Sequence, residues 1–476
     1  MKVQESEFIQ EKKPLLKKLL EQLLERYAYG SVLAVDSRSK YYSVSRKNMS
    51  VGEDDLATSR GFVVKVSDGK HYGEYSFNQI TEADIDRICE RVAQVAEASC
   101  KVLPEGMGER EFQIPQEEEI RFSGSTDYET DPEEMGDDEI LKVLCGIKDK
   151  GLGVSGDILD CRVFCTYQKY TKLFLSRKKD LEENVMFMTG AVSFAAARGE
   201  EIKDYYMPYS CLGGGEVLSR MEADVEKGAG ITLELLKSES MIPGEYSCIC
   251  APDVTGMIVH EAFGHGVEMD MFVKKRALAE KYVGEYVASE LVTMHDGAAA
   301  AREVASYFFD DEGTMAHDTV VIDRGVLKRG ISDLQSALTL GTEPTGNGRR
   351  ESFRRKAYTR MTNTFFEGGK DRVEDMIASI DYGFLLENPS SGMEDPKNWG
   401  IQCMVNIARE IRDGKLTGRI FSPIVLTGYV PDLLKSITMM SENVCLSGSG
   451  MCGKGYKEWV KVSDGGPYIK ARIRLG

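Results

Sequence analysis

Histidine and tryptophan are scarce in this chain, with five and two residues among 476. A site built on imidazole therefore has few places to be. No apolar run approaches the roughly 20 residues that a membrane-spanning helix needs, and Met1–Glu7 lacks the pattern of a secretory signal. A cytoplasmic protein without membrane contact is expected. Positive charge is in deficit: 60 Lys and Arg against 77 Asp and Glu leave a net charge of −17. With no basic stripe, a surface that tracks nucleic-acid phosphates is not expected. The eleven cysteines (89, 100, 145, 161, 165, 211, 248, 250, 403, 445 and 452) are odd in number and form no compact framework. Reduced, mostly buried thiols are expected rather than a disulfide scaffold. Internal repeats, low-complexity tracts and βαβ alternation are also missing.

What is there reads as an α+β chain of two domains, strand-rich antiparallel sheets with flanking helices. Pro14 is expected to open a helix with Leu15, Leu16, Leu19, Leu20, Leu23 and Leu24 on one face, stopped at Gly30. Strands are expected at 31–36, 41–46, 61–66 and 72–77, with a hairpin turn at Ser67-Asp68-Gly69. His71 stands alone there. A second amphipathic helix covers 81–101, and the acidic stretch 117–139 reads as an exposed connection. A helix at 139–150, strands at 158–168, 172–175 and 185–195, and a long helix at 216–237 interrupted at Gly228-Ala229-Gly230 follow. Met241-Ile242-Pro243-Gly244 marks the boundary between an N-terminal domain (1–240) and a C-terminal one (241–476). Beyond it come a strand at 245–251, with Cys248 and Cys250 on one side as core thiols, and a helix started by Pro252. Further strands are expected at 320–322, 326–331, 341–350, 420–430 and 468–475.

The Pro252 helix carries Val259-His260-Glu261-Ala262-Phe263-Gly264-His265-Gly266-Val267-Glu268, which holds two of the five histidines. It is one residue longer than the His-Glu-x-x-His arrangement in which two histidines ligate zinc and the glutamate is a general base. In a regular α-helix an i,i+4 pair sits about 40° apart and an i,i+5 pair about 140° apart. His260 and His265 share a metal only if the helix is widened, as in a π-type turn, or ends between them, and Gly264 is the residue most tolerant of such a change. A core helix with two incidental histidines is the other reading.

A catalytic zinc takes three protein ligands and leaves one position for water. Glu268 and Asp270 stand close enough to ligate or to support the histidines. Glu290, 25 residues after His265 (290 − 265), as well as His295 and His317, are further candidates. Cys452 lies in Ser447-Gly448-Ser449-Gly450-Met451-Cys452-Gly453-Lys454-Gly455, a setting that looks shaped to present a thiol rather than bury one. Chemistry alone ranks Cys452 first and Glu290 second, with little between them. Pro344-Thr345-Gly346-Asn347-Gly348-Arg349-Arg350-Glu351 reads either as a turn with a structural ion pair or as a wall of the site. In the second case Asn347, Arg349 or Arg350 meets a substrate carbonyl or carboxylate. Arg360-Met361-Thr362-Asn363-Thr364 lines the same cleft on that reading, with Asn363 a further substrate contact.

Taken together, His260-Glu261-x-x-x-His265-Gly266-x-Glu268, the 344–351 stretch, Arg360–Thr364 and Met451-Cys452-Gly453-Lys454 resemble the TldD/PmbA family. The resemblance is to its TldD branch, the modulator-of-gyrase metalloproteases, and is close in the C-terminal half. It implies a zinc peptidase with His260, His265 and Cys452 as ligands and Glu261 as base. It also implies a chain that pairs with itself or with a PmbA-like relative, enclosing a cavity that admits unfolded peptide. The segment 388–402 departs from the glycine-rich stretch the family would have there. A non-catalytic, zinc-stabilised peptide-binding or regulatory subunit is the competing class. The intact Glu261 favours the enzyme, since a structural site needs no base.

Overall fold

The computed structural model describes residues 1–55, 57–69, 72–99, 112–455 and 457–476; His71, Cys100 and the expected end of the second helix at Lys101 lie outside the described residues. The first helix, α1 (Glu7–Leu24), starts earlier than Pro14, which lies inside it. Ser6 caps it, its hydroxyl accepting the Ile9 N–H, which satisfies one of the free donors of the first turn. The leucine stripe points inward as its spacing requires, with Leu16, Leu19, Leu20 and Leu23 buried.

Two pairs of expected strands merge. β1 (Tyr29–Val44) and β6 (Ile158–Ser176) pair continuously from Ser31↔Ser176 to Val44↔Val163. The polar residues at 37–40 look like a turn in sequence, but unbroken backbone pairing on β6 carries the strand through them. With β2 (Met49–Gly52), β3 (Ser59–Ser67), β4 (Tyr72–Phe77), β5 (Ile120–Ser125), β7 (Lys179–Arg198) and β8 (Glu201–Cys211) they form an eight-stranded sheet. Its main path runs β4-β3-β1-β6-β7-β5, with β2 on β1 and β8 on β7.

The acidic stretch 117–139 is only partly a connection. It contains β5, and α3 (Pro132–Leu152) begins within it, capped by Asp131 and kinked where Gly136 takes φ 77°. Glu133 and Glu134 fall in the first helical turn, where the helix dipole favours negative charge. α1 and α2 (Ile85–Ser99) share a core with one end of the sheet, including Ile9, Leu16, Val64 and Val92. α3 and α4 (Val217–Leu235) cover the other end through Ile140, Leu144, Met188 and Val225. α4 is not interrupted at its glycines. A Cβ on Gly228 would overlap the Met207 sulfur and the Phe194 ring, so this glycine serves close approach of helix to sheet.

In the C-terminal half β9 (Gly244–Cys250) is an inner strand between Tyr382–Asp395 and Ile469–Leu475. Tyr382–Asp395 also pairs with Gly400–Arg412, which closes the sheet on itself. Neither of those long strands is expected from sequence. The stretch 420–430 is divided into Lys415–Phe421 and Ile424–Tyr429, while 326–331 and 341–350 keep strand geometry only at Val326–Leu327 and Gly348–Arg349. A six-stranded sheet beside it contains Met294–Asp296, Asn363–Phe366 and Ser463–Gly466. Cys248 and Cys250 are fully buried, and burial pushes both thiols up.

Strand pairing within the sheets does not mix residues before 212 with those after 243, and we propose the division 1–240 and 241–476. The two parts meet through buried ion pairs: Lys65 with Glu312, Arg350 with Glu74, and Lys172 with Asp311. Among the described residues no helix is long and apolar enough to cross a membrane.

Candidate metal centre

Ala251 is extended and Pro252 occupies the first turn of α5 (Pro252–Met257), where a missing N–H removes nothing that the helix uses. Ile258–Gly264 continues it as a π-helix, and His265–Val267 closes it as a tight 3₁₀ turn. In π geometry residues five apart stack as residues four apart do in an α-helix. The widened turn brings the His260 and His265 rings to 5.2 Å between centroids, edge to face. Gly264 is not the source of the widening, because its φ −60°, ψ −52° are ordinary helical values. A Cβ there would lie 2.1 Å from the Met361 sulfur, so the glycine makes room for a neighbouring side chain.

Cys452 reaches the histidines from the other end of the chain. Its hairpin, Met451–Lys454 with Lys457–Lys461, places Cys452 opposite Val460, both buried. The Cys452 sulfur is 3.2 Å from His260 Nε2 and 3.3 Å from His265 Nε2. Zinc–nitrogen and zinc–sulfur bonds of ~2.1 and ~2.3 Å in tetrahedral geometry put such donors about 3.6 Å apart. The ligand atoms of all three residues lie within 4.8 Å of one another, so the donor set fits a small cation of intermediate softness. Burial opposes a charged thiol at Cys452, but His260 and His265 overcome it and bring the thiol down to about 4. Burial likewise opposes charge on His260, and the thiolate overcomes it, raising the imidazole to about 9.

The supporting groups are charged and closely interlocked. Glu268 is buried, 3.6 Å from His265 Nδ1, and accepts from Lys454 Nζ at 2.9 Å and Arg360 Nε at 3.3 Å. Burial would raise its carboxyl, but Lys454, His265 and Arg360 hold it well below the usual range. Asp270 accepts from Lys454 at 2.7 Å and Lys274 at 2.8 Å. Glu268 therefore stands behind His265, and Asp270 is joined to it through Lys454. Asp464 lies 3.9 Å from His260 Nδ1, which has no hydrogen-bond partner among the described residues. Burial pushes this carboxyl up to about 6.

Arg360 is fully buried, and instead of lining a cleft it backs the cysteine. It donates to the Cys452 sulfur at 2.9 Å, to the Cys452 carbonyl at 3.0 Å and to the Glu458 carbonyl. Sequence reasoning missed this role. The signal was an arginine in a run of small polar residues, Thr359 to Thr364, with no acidic neighbour to hold it at a surface.

Glu261 is half-buried, and burial raises its carboxyl against the pull of His260 and His265. The segment 388–402 supplies the hairpin that covers it. A Cβ on Gly392 would lie 2.4 Å from Glu261 Cγ, and one on Gly266 would lie 2.6 Å from Glu394 Oε1.

Other candidates fall away from the centre. Glu290 and His317 are exposed. His295 is held between Asp318 and Glu367 at 2.7 and 3.1 Å. Arg350 forms a buried bidentate pair with Glu74 at 2.7 and 3.0 Å, so the ion-pair reading of that turn applies. Asn347 and Asn363 are fully buried. Asn347 donates to Asp296 and the Arg360 carbonyl, and Asn363 to the Gly297 carbonyl and Ser306; both brace loops and face no open space. Arg349 and Arg350 both line a cavity, Arg350 with its guanidinium held by Glu74.

A π-widened His-Glu helix facing a buried cysteine, on an α+β scaffold, is the construction of a metallopeptidase. Residues 243–473 match the family model described as the PmbA/TldA metallopeptidase C-terminal domain. The chain is 26% identical over 460 residues to a metalloprotease of Methanocaldococcus jannaschii, covering 95% of this chain and 97% of that one. It is 33% identical over 241 residues to a metalloprotease TldD homolog of Buchnera aphidicola, 50% of each chain. A zinc metalloprotease TldD homolog of Saccharolobus solfataricus is 31% identical over 243 residues, 51% of this chain and 54% of that one. The matches thus span about half the length of the latter two relatives. In fold, a proposed modulator of DNA gyrase from Bacteroides thetaiotaomicron superposes with TM-score 0.76 at 16% identity, over 98% of this chain and 99% of that one. TldE from Thermococcus kodakarensis does so with TM-score 0.73 at 17% identity, over 96% and 99%. Through residues 243–473, close to half of its length, the chain belongs to the TldD/PmbA family of metallopeptidases.

Proposed function

We propose that this chain is a zinc-dependent peptidase in which His260, His265 and Cys452 hold the metal and Glu261 is the general base. The observation that carries this reading is the convergence of both Nε2 atoms on one sulfur across a turn that leaves Glu261 between the two histidines. Bound there, zinc would polarise a peptide carbonyl and acidify a water molecule. Glu261 takes a proton from the attacking water and passes it to the leaving amine; its raised carboxyl suits a group that must both accept and return a proton. Glu268 fixes the orientation of His265, and Arg360 holds the cysteine sulfur in place. Unfolded or extended peptides are the substrates on this reading, cleaved in a cavity shared with a second copy or with a PmbA-like relative, a pairing that the TldE-like fold supports.

Peptide digestion by the purified protein, with and without chelator, tests the reading. Chelator-sensitive cleavage restored by zinc is expected. Glu261→Gln keeps the metal and loses hydrolysis, and Cys452→Ala loses or weakens metal binding. Full zinc content without any cleavage, alone or with a PmbA-like partner, would favour a peptide-binding subunit instead.

A further inference from the structure

The hairpin that carries Cys452 has two faces. Cys452 turns inward towards the histidines, whereas Met451, Trp459 and Lys461 line a cavity of about 420 Å³. Its opposite wall is one face of the eight-stranded sheet, including Tyr170 and Phe187, and its side is formed by Arg349 and Phe353. The cavity therefore begins one residue from a proposed metal ligand.

Its walls are aromatic, and the four acids and four bases that line it differ in how they are partnered. Asp310 accepts from three backbone N–H groups, and Asp311 pairs with Lys172 and accepts the Arg350 N–H. Glu351 pairs with Arg355 and accepts the Trp459 N–H, while Asp54 has a partner of its own. The cations Arg349 and Lys461 have no carboxylate within ion-pair distance among the described residues. Arg349 donates only to the Met361 carbonyl and lies over the Tyr307 ring; Lys461 donates only to the Ser449 carbonyl. Burial outweighs the attraction of Glu303 and Asp54 and lowers the Lys461 ammonium to about 7.

We propose that this cavity binds a carboxylate-bearing segment of the peptide substrate, with the carboxylate on Arg349 and Lys461 and a bulky apolar side chain against Trp459 and Phe353. The proposal rests on the peptidase reading above and gives it a substrate preference. A carboxylate satisfies both cations with charge-assisted bonds, and the aromatic walls bury the side chain beside it. The carboxylate is either a chain terminus or an acidic side chain.

Tryptophan fluorescence tests this without turnover. Trp399 is fully buried, whereas Trp459 lines the cavity, so a bound peptide perturbs one of the two tryptophans of the chain. Full-length Glu261→Gln protein is titrated with acetyl-Gly-Gly-Phe, its C-terminal amide, and acetyl-Gly-Glu-Phe amide. The free acid is expected to bind about tenfold or more tightly than the plain amide, as expected for a charged hydrogen bond. Lys461→Met and Arg349→Met should each erase that difference while leaving amide binding in place; either suffices if the other does not fold. Tight binding of the glutamate-containing amide assigns the carboxylate to a side chain, and tight binding of the free acid alone assigns it to a chain terminus. Equal binding of all three peptides overturns the proposal, as does a fluorescence change that survives Trp459→Phe. Absence of chelator-sensitive cleavage by the wild-type protein, with the binding difference intact, would instead refute the peptidase reading.

Discussion

Gly392→Ala offers the sharpest perturbation of the proposed base, because it adds one methyl group and touches no metal ligand. Gly392 lies in the strand Tyr382–Asp395, opposite Cys403, at a φ open to any residue. The added Cβ would sit 2.4 Å from Glu261 Cγ, 3.1 Å from its Cβ and 3.2 Å from Cδ. Carbon atoms rest at about 3.5 Å or more, so the Glu261 side chain must move by roughly 1 Å. A misplacement of that size can lower turnover by ~100-fold. Stability should fall little, since Glu261 is half-buried and can swing away. The assay is kcat on an extended peptide, with bound zinc and the melting temperature measured on the same preparation. A kcat within about twofold of wild type, with zinc content unchanged, would refute either the base assignment or the covering role of 388–402.

The remaining perturbations probe the scaffold. Gly264→Ala gains helix propensity of at most ~1 kcal/mol but places a Cβ 2.1 Å from the Met361 sulfur. Overpacking at about 1–3 kcal/mol should win, lowering the urea midpoint, and Met361→Ala in the same chain should recover part of it. Arg350→Met leaves Glu74 buried without its bidentate partner and should destabilise by about 3–5 kcal/mol in urea unfolding. Burial would raise the Glu74 carboxyl, but Arg350 and Lys65 hold it at about 2. Its folded value lies below the unfolded one of about 4.3, so this stabilisation is complete above pH ~4.3 and is lost as the pH falls towards ~2. Glu74→Gln should flatten that part of the stability–pH curve. Arg360→Lys removes the donor to the Cys452 sulfur while keeping the charge; in cobalt-loaded protein the sulfur-to-metal absorption band should shift, and an unmoved band would show that Arg360 serves packing alone.

The sequence made the local periodicities legible and left the long-range closures hidden. The stripe Leu16, Leu19, Leu20, Leu23 and the buried pair Cys248 and Cys250 follow from helix and strand periods alone. The i,i+5 histidine spacing required a helix widened or broken between them, and the chain has a π-helix there. The strands Tyr382–Asp395 and Gly400–Arg412 were not legible, because their polar, proline- and glycine-bearing segments gain order only by pairing with each other, with β9 and with Ile424–Tyr429. The role of Gly264 was misread for a related reason. A glycine in a motif suggests backbone freedom, but the constraint is Met361, almost a hundred residues away (361 − 264 = 97). Arg350 and Asn347 looked available for substrate because their partners, Glu74 and Asp296, are equally remote.

The arginine behind the cysteine bears on what the proposed ligands His260, His265 and Cys452 would do for a bound metal. A thiolate donates more charge to a cation than imidazole does, so a sulfur ligand on its own would weaken the polarisation that hydrolysis needs. In this chain the sulfur already accepts from the Arg360 guanidinium at 2.9 Å, which draws electron density away from the face turned to the histidines. Glu268 acts in the opposite sense on His265, since a carboxylate near Nδ1 makes Nε2 a better donor. Because Arg360 and Glu268 are themselves hydrogen-bonded, the two adjustments are coupled, and both are tied through Lys454 to the same hairpin that presents Cys452. On the proposed ligand set, donor strength would thus be shifted from the sulfur to the imidazole by the buried Arg360 and Glu268. A purely structural site, whose task is tight closure, gains nothing from weakening its strongest donor. The buried Arg360–Glu268–Lys454 arrangement therefore favours a centre tuned for reaction over one that only holds the chain together.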